Sequence, residues 1–219
     1  GIVQYFWGQA YHYSGDPTRN CVAPEEGAID SGFQQLADQY VNKSIPVMIG
    51  EFGAATKPYL AATNATESAW NRASQYYWHK YVAESARGHG LSPFFWSTPG
   101  TPFDWTSGAV NDAQLISVLT GGAAPPPPNG AAYAPSCLTA TVSNGNTIVL
   151  SWTAGGGATS NNLYRSAESG YEGTAPFVTG ITGTNYTDIN LNSGTTYYYQ
   201  VVGVNASGLS GFSPEAYAT

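Results

Sequence analysis

Four consecutive prolines, Pro125 to Pro128, divide this 219-residue chain into two parts that fold by different rules. Proline fixes φ and has no backbone N–H, so a run of four excludes helix and sheet interior and favours an extended polyproline II path. The run sits inside "GGAAPPPPNGAAYAPS", residues 121–136, which reads as a semi-rigid linker. The length suffices for two small domains, each with its own core. The expected division is therefore 1–120, 121–136 and 137–219.

After the linker the pattern has period two. "LTATVS", "TIVLSWTA", "NNLYRSA", "NYTDI", "TTYYYQVVGVN" and "PEAYAT" alternate apolar and polar residues between Gly, Asn and Ser turns. Seven or so short strands in about eighty residues is the count of an immunoglobulin-like β-sandwich, with Trp152 pointing inward. Leu191 and the following "NSGTTYYYQVVGVNASGLSGFS" resemble the tyrosine-bearing corner and paired final strands of a fibronectin type III domain. No planar row of aromatics is evident there, so the expected role is spacing or packing on the first domain.

Before the linker, strand and helix signals alternate. "IVQYFWGQAYHY" reads as a long apolar-aromatic strand, and "AIDSGFQQLADQYVNKS" carries Ile29, Phe33, Leu36 and Tyr40 at helical spacing. "IPVMIGEFG" is apolar on both faces, as a parallel strand between helix layers is. A helix follows with Trp70, Ala73, Tyr77 and Tyr81 on one face and Gly90 as its stop. "LSPFFWS" is a third strand and "NDAQLISVLTG" a final helix. Three successive strand–helix units imply a parallel sheet with right-handed crossovers, so the fold class is α/β followed by all-β.

Composition excludes several functions. A net charge of −7 and a pI near 4.7 leave nothing to neutralise phosphates or hold an anionic membrane. Apolar runs fall well short of the roughly 20 residues that span a bilayer. Two cysteines, Cys21 and Cys137, are too few for a disulfide framework or a zinc site, and they lie on opposite sides of the linker. No metal or cofactor is expected. The charge-poor, aromatic-rich composition suits a secreted protein acting on a neutral polymer, and sequons at Asn42, Asn64, Asn185 and Asn205 matter only where the source glycosylates.

Glu51 is the residue that needs explaining. It ends the apolar run "IPVMIG", at the carboxyl end of a parallel strand, where α/β sheets place ligands and catalytic groups. An unpartnered buried carboxylate is costly, so Glu51 should face a cleft, cap the next turn or pair with an Arg. Glu25, Glu26 and Glu67 precede helices, where carboxylates favour the helix dipole. His79 and His89 read as surface residues, Trp7 as core, and Asp104 and Asn111 as loop residues suited to a turn or to substrate contact.

"IPVMIGEFGA", the Trp/Tyr-rich helix and "GLSPFFWSTPG" together resemble the last strands of a glycoside hydrolase family 5 enzyme. The resemblance implies the last strand–helix units of a (β/α)8 TIM barrel, with Glu51 as catalytic nucleophile and Trp96 stacking on a sugar. It further implies a His-x-Tyr pair before the nucleophile. Here His12 and Tyr13 are adjacent, giving Tyr13 as the nucleophile's partner and His12 as a subsite residue. Trp105 is a further candidate sugar platform. Retaining hydrolysis needs a nucleophilic carboxylate and a second, protonated one roughly 5 Å away. The family's Asn-Glu acid/base pair is absent from this chain. The expectation is therefore a carboxyl-terminal portion of the barrel, whose amino-terminal half is a separate piece, acting as an endo-β-1,4-glucanase. The alternatives are an endo-β-mannanase or xyloglucanase of the same family, or a non-catalytic spacer or binding fragment.

Overall fold

The computed structural model describes residues 6–22, 25–54, 57, 60, 63–97 and 101–219. The expected first strand is not continued beyond Phe6, which bridges Asn20 in parallel, and residues 1–5 lie outside the described residues. Gln9–Tyr11 instead form a 3-10 turn. The aromatic side chains explain the difference. A strand would keep Trp7 and Tyr11 on one face but about 13 Å apart, whereas the turn brings both against the same tyrosine. Tyr11 stacks on Tyr77 at 4.6 Å, and Trp7 packs its ring against Tyr77 and Tyr81.

Helix α1 (Glu26–Gln39) precedes strand β1 (Met48–Phe52), helix α2 (Ala65–Gly88), strand β2 (Ser92–Phe95) and helix α3 (Ala113–Leu119). The Asn64 side chain caps α2 by accepting from the Glu67 amide, so Glu67 lies inside the first turn. Gly90, with φ of 75°, ends the helix in the left-handed conformation expected of a stop residue. The Asp112 carboxylate caps α3 through the Leu115 amide and also takes the Arg72 guanidinium and the Tyr76 hydroxyl. Strands β1 and β2 pair in parallel, two strands among the described residues where three were expected.

The second unit is an antiparallel sandwich. One sheet contains β3 (Ser136–Asn144), β4 (Thr147–Thr153) and β7 (Asn185–Asp188). The other contains β5 (Ser160–Ser166), β6 (Val178–Ile181), β8 (Tyr197–Asn205), β9 (Gly208–Phe212) and β10 (Ala216–Ala218). Leu150, Trp152, Leu163, Tyr199 and Val201 fill the space between the sheets. The Asn192 amide donates to the Tyr197 hydroxyl at 3.3 Å, tying the corner before β8. Buried Asp188 accepts from Arg165 with both carboxylate oxygens and from the Tyr199 hydroxyl, which satisfies a carboxylate that would be costly alone.

The linker packs at both ends. Ala124 joins the first core, Pro125 O accepts the Tyr11 hydroxyl at 2.9 Å, and the Tyr133 amide donates to Gly156 O on the sandwich. Helix α1 shows why the units dock. Its apolar residues Ile29, Phe33 and Leu36 are only half-buried, while Glu26, Asp30 and Gln34 are buried. For Glu26 and Asp30 the sandwich and α2 supply the polar partners, while Gln34 donates to Asp38 within the helix. Asp30 accepts from Tyr81, Ser85 and Gln200, and the Gln200 amide also donates to the Tyr81 hydroxyl. Tyr77 donates to Phe212 O and to Glu26. A Cβ on Gly27 would overlap the Gly170 carbonyl oxygen, so backbone touches backbone across the boundary.

The two histidines expected at the surface are buried, His79 to 1% exposure and His89 to 3%. His89 lies 3.6 Å from the Glu215 carboxylate, an ion-pair separation longer than a hydrogen bond, with its Nδ1 at 2.8 Å from Ser85 O. Burial pulls the His89 pKa down, but Glu215, the Ser85 carbonyl and Asp30 carry it above the usual histidine value. Beside it, burial and the neighbouring Glu215 push the Glu172 carboxyl up to about 10, so the proton of that pair resides on Glu172. Among the described residues no helix is long and apolar enough to cross a membrane, and Cys21 and Cys137 are free thiols.

Candidate active site

Glu51 lies near the carboxyl end of β1. Ile49 pairs with Pro93 and Phe52 with Phe95, so the register slips between them and Gly50 and Glu51 together face Phe94. Such a bulge re-aims a side chain, and bulges concentrate beside functional sites. The burial pattern shows the two faces of the pair. Phe52 and Phe95 are partly buried toward α2, their rings 5.9 Å apart. Met48, Glu51, Phe94 and Trp96 are exposed, with Trp96 at 56%. The Trp96 amide donates to Phe52 O at 3.0 Å, so Glu51 and Trp96 leave adjacent strand ends. Among the described residues no hydrogen bond or ion pair occupies the Glu51 carboxylate, so neither a turn cap nor an arginine partner accounts for it there.

Trp105 joins the same rim. It stands on the segment after β2, where Phe103 and Val110 form an antiparallel bridge, and its indole N–H donates to Ser97 Oγ at 3.3 Å. Asp104 takes the turn role open to it, since its carboxylate accepts the Thr106 and Ser107 amides, which hold it below the usual carboxylate range. Residues 98–100 lie outside the described residues.

His12 and Tyr13 make their contacts elsewhere. His12 Nε2 meets Glu25 Oε1 at 2.7 Å, and that hydrogen bond raises its pKa despite partial burial. Glu25 also accepts the Gly8 amide at 2.5 Å, so its carboxylate is bonded to the preceding turn and not to the amides of α1. His12, Glu25, Glu26, Glu172 and Gln200 line a cavity of about 170 Å³ between the two units. Glu26 is buried in it, and burial pushes its carboxyl up to about 7, unlike a solvated partner of the helix dipole. The Tyr13 ring lies against Phe6 and Trp70. None of these contacts joins His12 or Tyr13 to Glu51.

Two residues of α2 hold the chain after Glu51: His79, which the sequence placed at the surface, and Gln75, which it did not single out. His79 Nε2 accepts the Ala54 amide at 3.1 Å, and Gln75 Nε2 donates to Ala54 O at 2.5 Å. Their four-residue spacing puts them on one helix face, the only sequence signal available, and a polar pair on that face reads equally well as solvent-exposed.

Fold and site together define an α/β unit that presents a carboxylate and a tryptophan at parallel strand ends, with a second tryptophan on the segment that follows, docked on an antiparallel β-sandwich. No protein-family model matches the chain. A curated relative, an amylopullulanase of Thermoanaerobacterium saccharolyticum, is 40% identical over 76 residues, which is 34% of this chain and 6% of that protein. Among solved structures, an Fn3-like protein from Clostridium thermocellum is 42% identical over 39% of this chain and 88% of its own, with a TM-score of 0.36. A Bacteroides ovatus GH5 xyloglucanase in complex with a XXXG heptasaccharide is 25% identical over 53% of this chain and 24% of its own, with a TM-score of 0.47. A family 5 xyloglucanase from Paenibacillus pabuli is 22% identical over 53% of this chain and 32% of its own, at 0.44. The chain is thus similar to Fn3-like sandwiches in one part and to portions of glycoside hydrolases in another. With every TM-score below 0.5, these likenesses assign no residue a role.

Proposed function

We propose that this chain supplies the nucleophile of a secreted retaining glycoside hydrolase of the family 5 type, cleaving a β-1,4-linked glucan. The observation that carries the reading is Glu51, placed by a bulge at the end of a parallel strand, on an open face shared with Trp96. In this reading a Glu51 oxygen attacks the anomeric carbon as the glycosidic C–O bond breaks, the leaving oxygen takes the proton of the second carboxyl, and water then hydrolyses the glycosyl-enzyme ester. Trp96 and Trp105 offer aromatic faces to the apolar faces of the sugar rings. His12 and Tyr13, whose contacts are with Glu25, Phe6 and Trp70, have no part in this reading.

The acid/base comes from outside this chain. Parallel sheets are covered on both faces and extended at their edges, whereas β1 and β2 leave Met48, Phe94 and Trp96 exposed. The proposed partner is the amino-terminal half of the same (β/α)8 barrel, continuing the sheet and carrying the protonated carboxyl. Mannan and xyloglucan are alternative substrates. Replacing Glu51 by Gln in the assembled enzyme is expected to lower turnover of a soluble β-glucan by on the order of 10⁴-fold or more while leaving the melting temperature in place. Undiminished hydrolysis refutes the assignment. The open carboxylate also fits a second reading, a non-catalytic fragment, which predicts no hydrolysis by either protein.

A further inference from the structure

Glu51 belongs to a short strand whose exit is held from behind by one helix. Three residues past Glu51, the peptide of Ala54 is held on both sides. Its N–H donates to His79 Nε2 at 3.1 Å and its C=O accepts from Gln75 Nε2 at 2.5 Å. His79 Nδ1 lies 2.8 Å from Gln75 O, so the ring's proton resides on Nδ1 and its lone pair on Nε2 faces Ala54. The ring is also wedged between aromatics. Phe95 lies edge-on at 5.5 Å, Trp78 edge-on at 5.1 Å and Phe52 at 6.4 Å. Phe52 follows Glu51 in sequence and Phe95 precedes Trp96, so one buried imidazole touches the residue beside each member of the candidate site.

We propose that His79 and Gln75 are positioning residues that fix the backbone leaving β1, and through it the direction of the Glu51 carboxylate toward the sugar-binding face. The inference rests on the nucleophile reading given above. A bulged strand has lost part of its ladder at the bulge, so the direction of Glu51 is set by what grips the chain on either side. Before the bulge Ile49 pairs with Pro93, and just after it Trp96 N–H bonds Phe52 O. Two residues further on the grip is at Ala54, which no strand partner reaches among the described residues. The histidine is suited to the task because burial lowers its pKa to about 4, so that it remains a neutral acceptor, with Arg72 opposing its protonation and Asp112 favouring it. Only an acceptor can serve, since the group it receives is an amide N–H.

The experiment compares the parent with His79→Phe, which fills the aromatic slot without an acceptor, and His79→Gln, which restores one. Gln75→Met, which removes the donor to Ala54 O, serves where His79→Phe fails to fold. Amide exchange at Ala54, followed by NMR on this chain, reads the grip itself. Protection in the parent and in His79→Gln, with loss in His79→Phe, is expected. The consequence is read with 2,4-dinitrophenyl 2-deoxy-2-fluoro-β-cellobioside on the assembled enzyme. A Glu51 oxygen bonds to C1 as the C1–O bond breaks, and dinitrophenolate leaves with the electron pair, so no proton donor is required. The inactivation rate constant is expected to fall about 10²-fold in His79→Phe, as for a displacement near 1 Å, with the dissociation constant of the reagent unchanged and most of the rate recovered in His79→Gln. Equal rates in all three proteins, or an Ala54 amide unprotected in the parent, overturn the inference. Label on another carboxylate, or none on Glu51 in the parent, overturns the nucleophile reading and the positioning role with it, while the exchange data separately show whether the grip exists.

Discussion

Replacing Glu26 by Gln should stabilise the protein in alkaline solution and leave it nearly unchanged in acid. Glu26 is buried between α1, α2 and the sandwich, and its pKa is raised from 4.5 to about 7, mainly by burial and further by Glu25 and Asp30. Its hydrogen bonds, including that from Tyr77, work in the other direction without prevailing. A carboxyl whose folded pKa exceeds its unfolded value binds more protons in the native state. Its contribution is therefore fully present below about pH 4.5 and is lost as the pH rises toward and through about 7. The difference of the two values corresponds to about 3 kcal/mol of destabilisation in the ionised folded state. Glutamine keeps an oxygen for the Tyr77 hydroxyl and cannot ionise. For a chain of this length 1 kcal/mol moves Tm by about 2–4 °C, so Glu26→Gln should melt roughly 6–12 °C above the parent near pH 8. Near pH 4 the two should melt within about 2 °C of each other. Differential scanning calorimetry at both pH values measures this directly. A Tm difference that is the same at both refutes a titrating Glu26 and points to packing alone.

Further outcomes follow from the docked units and the open rim. Gly27→Ala places a methyl against the Gly170 carbonyl, so the interface should lose about 1–3 kcal/mol and calorimetry should resolve separate transitions for the two units; a single unshifted transition would contradict the backbone contact. Trp96→Ala should raise KM for a soluble β-glucan roughly tenfold with a smaller effect on kcat, because an exposed indole acts in binding. An unchanged KM in steady-state assays would remove Trp96 from the substrate path.

Much of the architecture was legible in sequence because it depends on local pattern. Alternation with Gly and Asn turns marked the sandwich strands, and the apolar residues around Trp152 and Val201 do face one another across it. The apolar "IPVMIG" run marked a parallel strand, and Gly90 marked the end of the long helix. Where the pattern had no unique reading, it misled. An aromatic run such as "YFWGQAYHY" satisfies a strand or a turn equally, and the choice was made by Tyr77, Tyr81 and Pro125, distant in sequence. Helix α1 was read from its apolar residues, yet it turns Glu26 and Asp30 inward because Tyr77, Tyr81 and Gln200 are there to meet them. His79 and His89 illustrate the same limit, since a histidine on a helix carries no mark of whether a partner waits across an interface.

By itself, then, the sequence determined the separation into an α/β part and a β-sandwich, the break at the proline run, and the singular carboxylate of "IGEFG", because proline geometry and hydrophobic periodicity act over a few residues. Tertiary structure alone decided that the linker is packed at both ends, that Glu51 sits in a bulge beside Trp96, and that Ala54 is gripped by His79 and Gln75. Each of those depends on which chain segment arrives from elsewhere to supply a hydrogen-bond partner or fix a strand register, and no local pattern encodes that arrival.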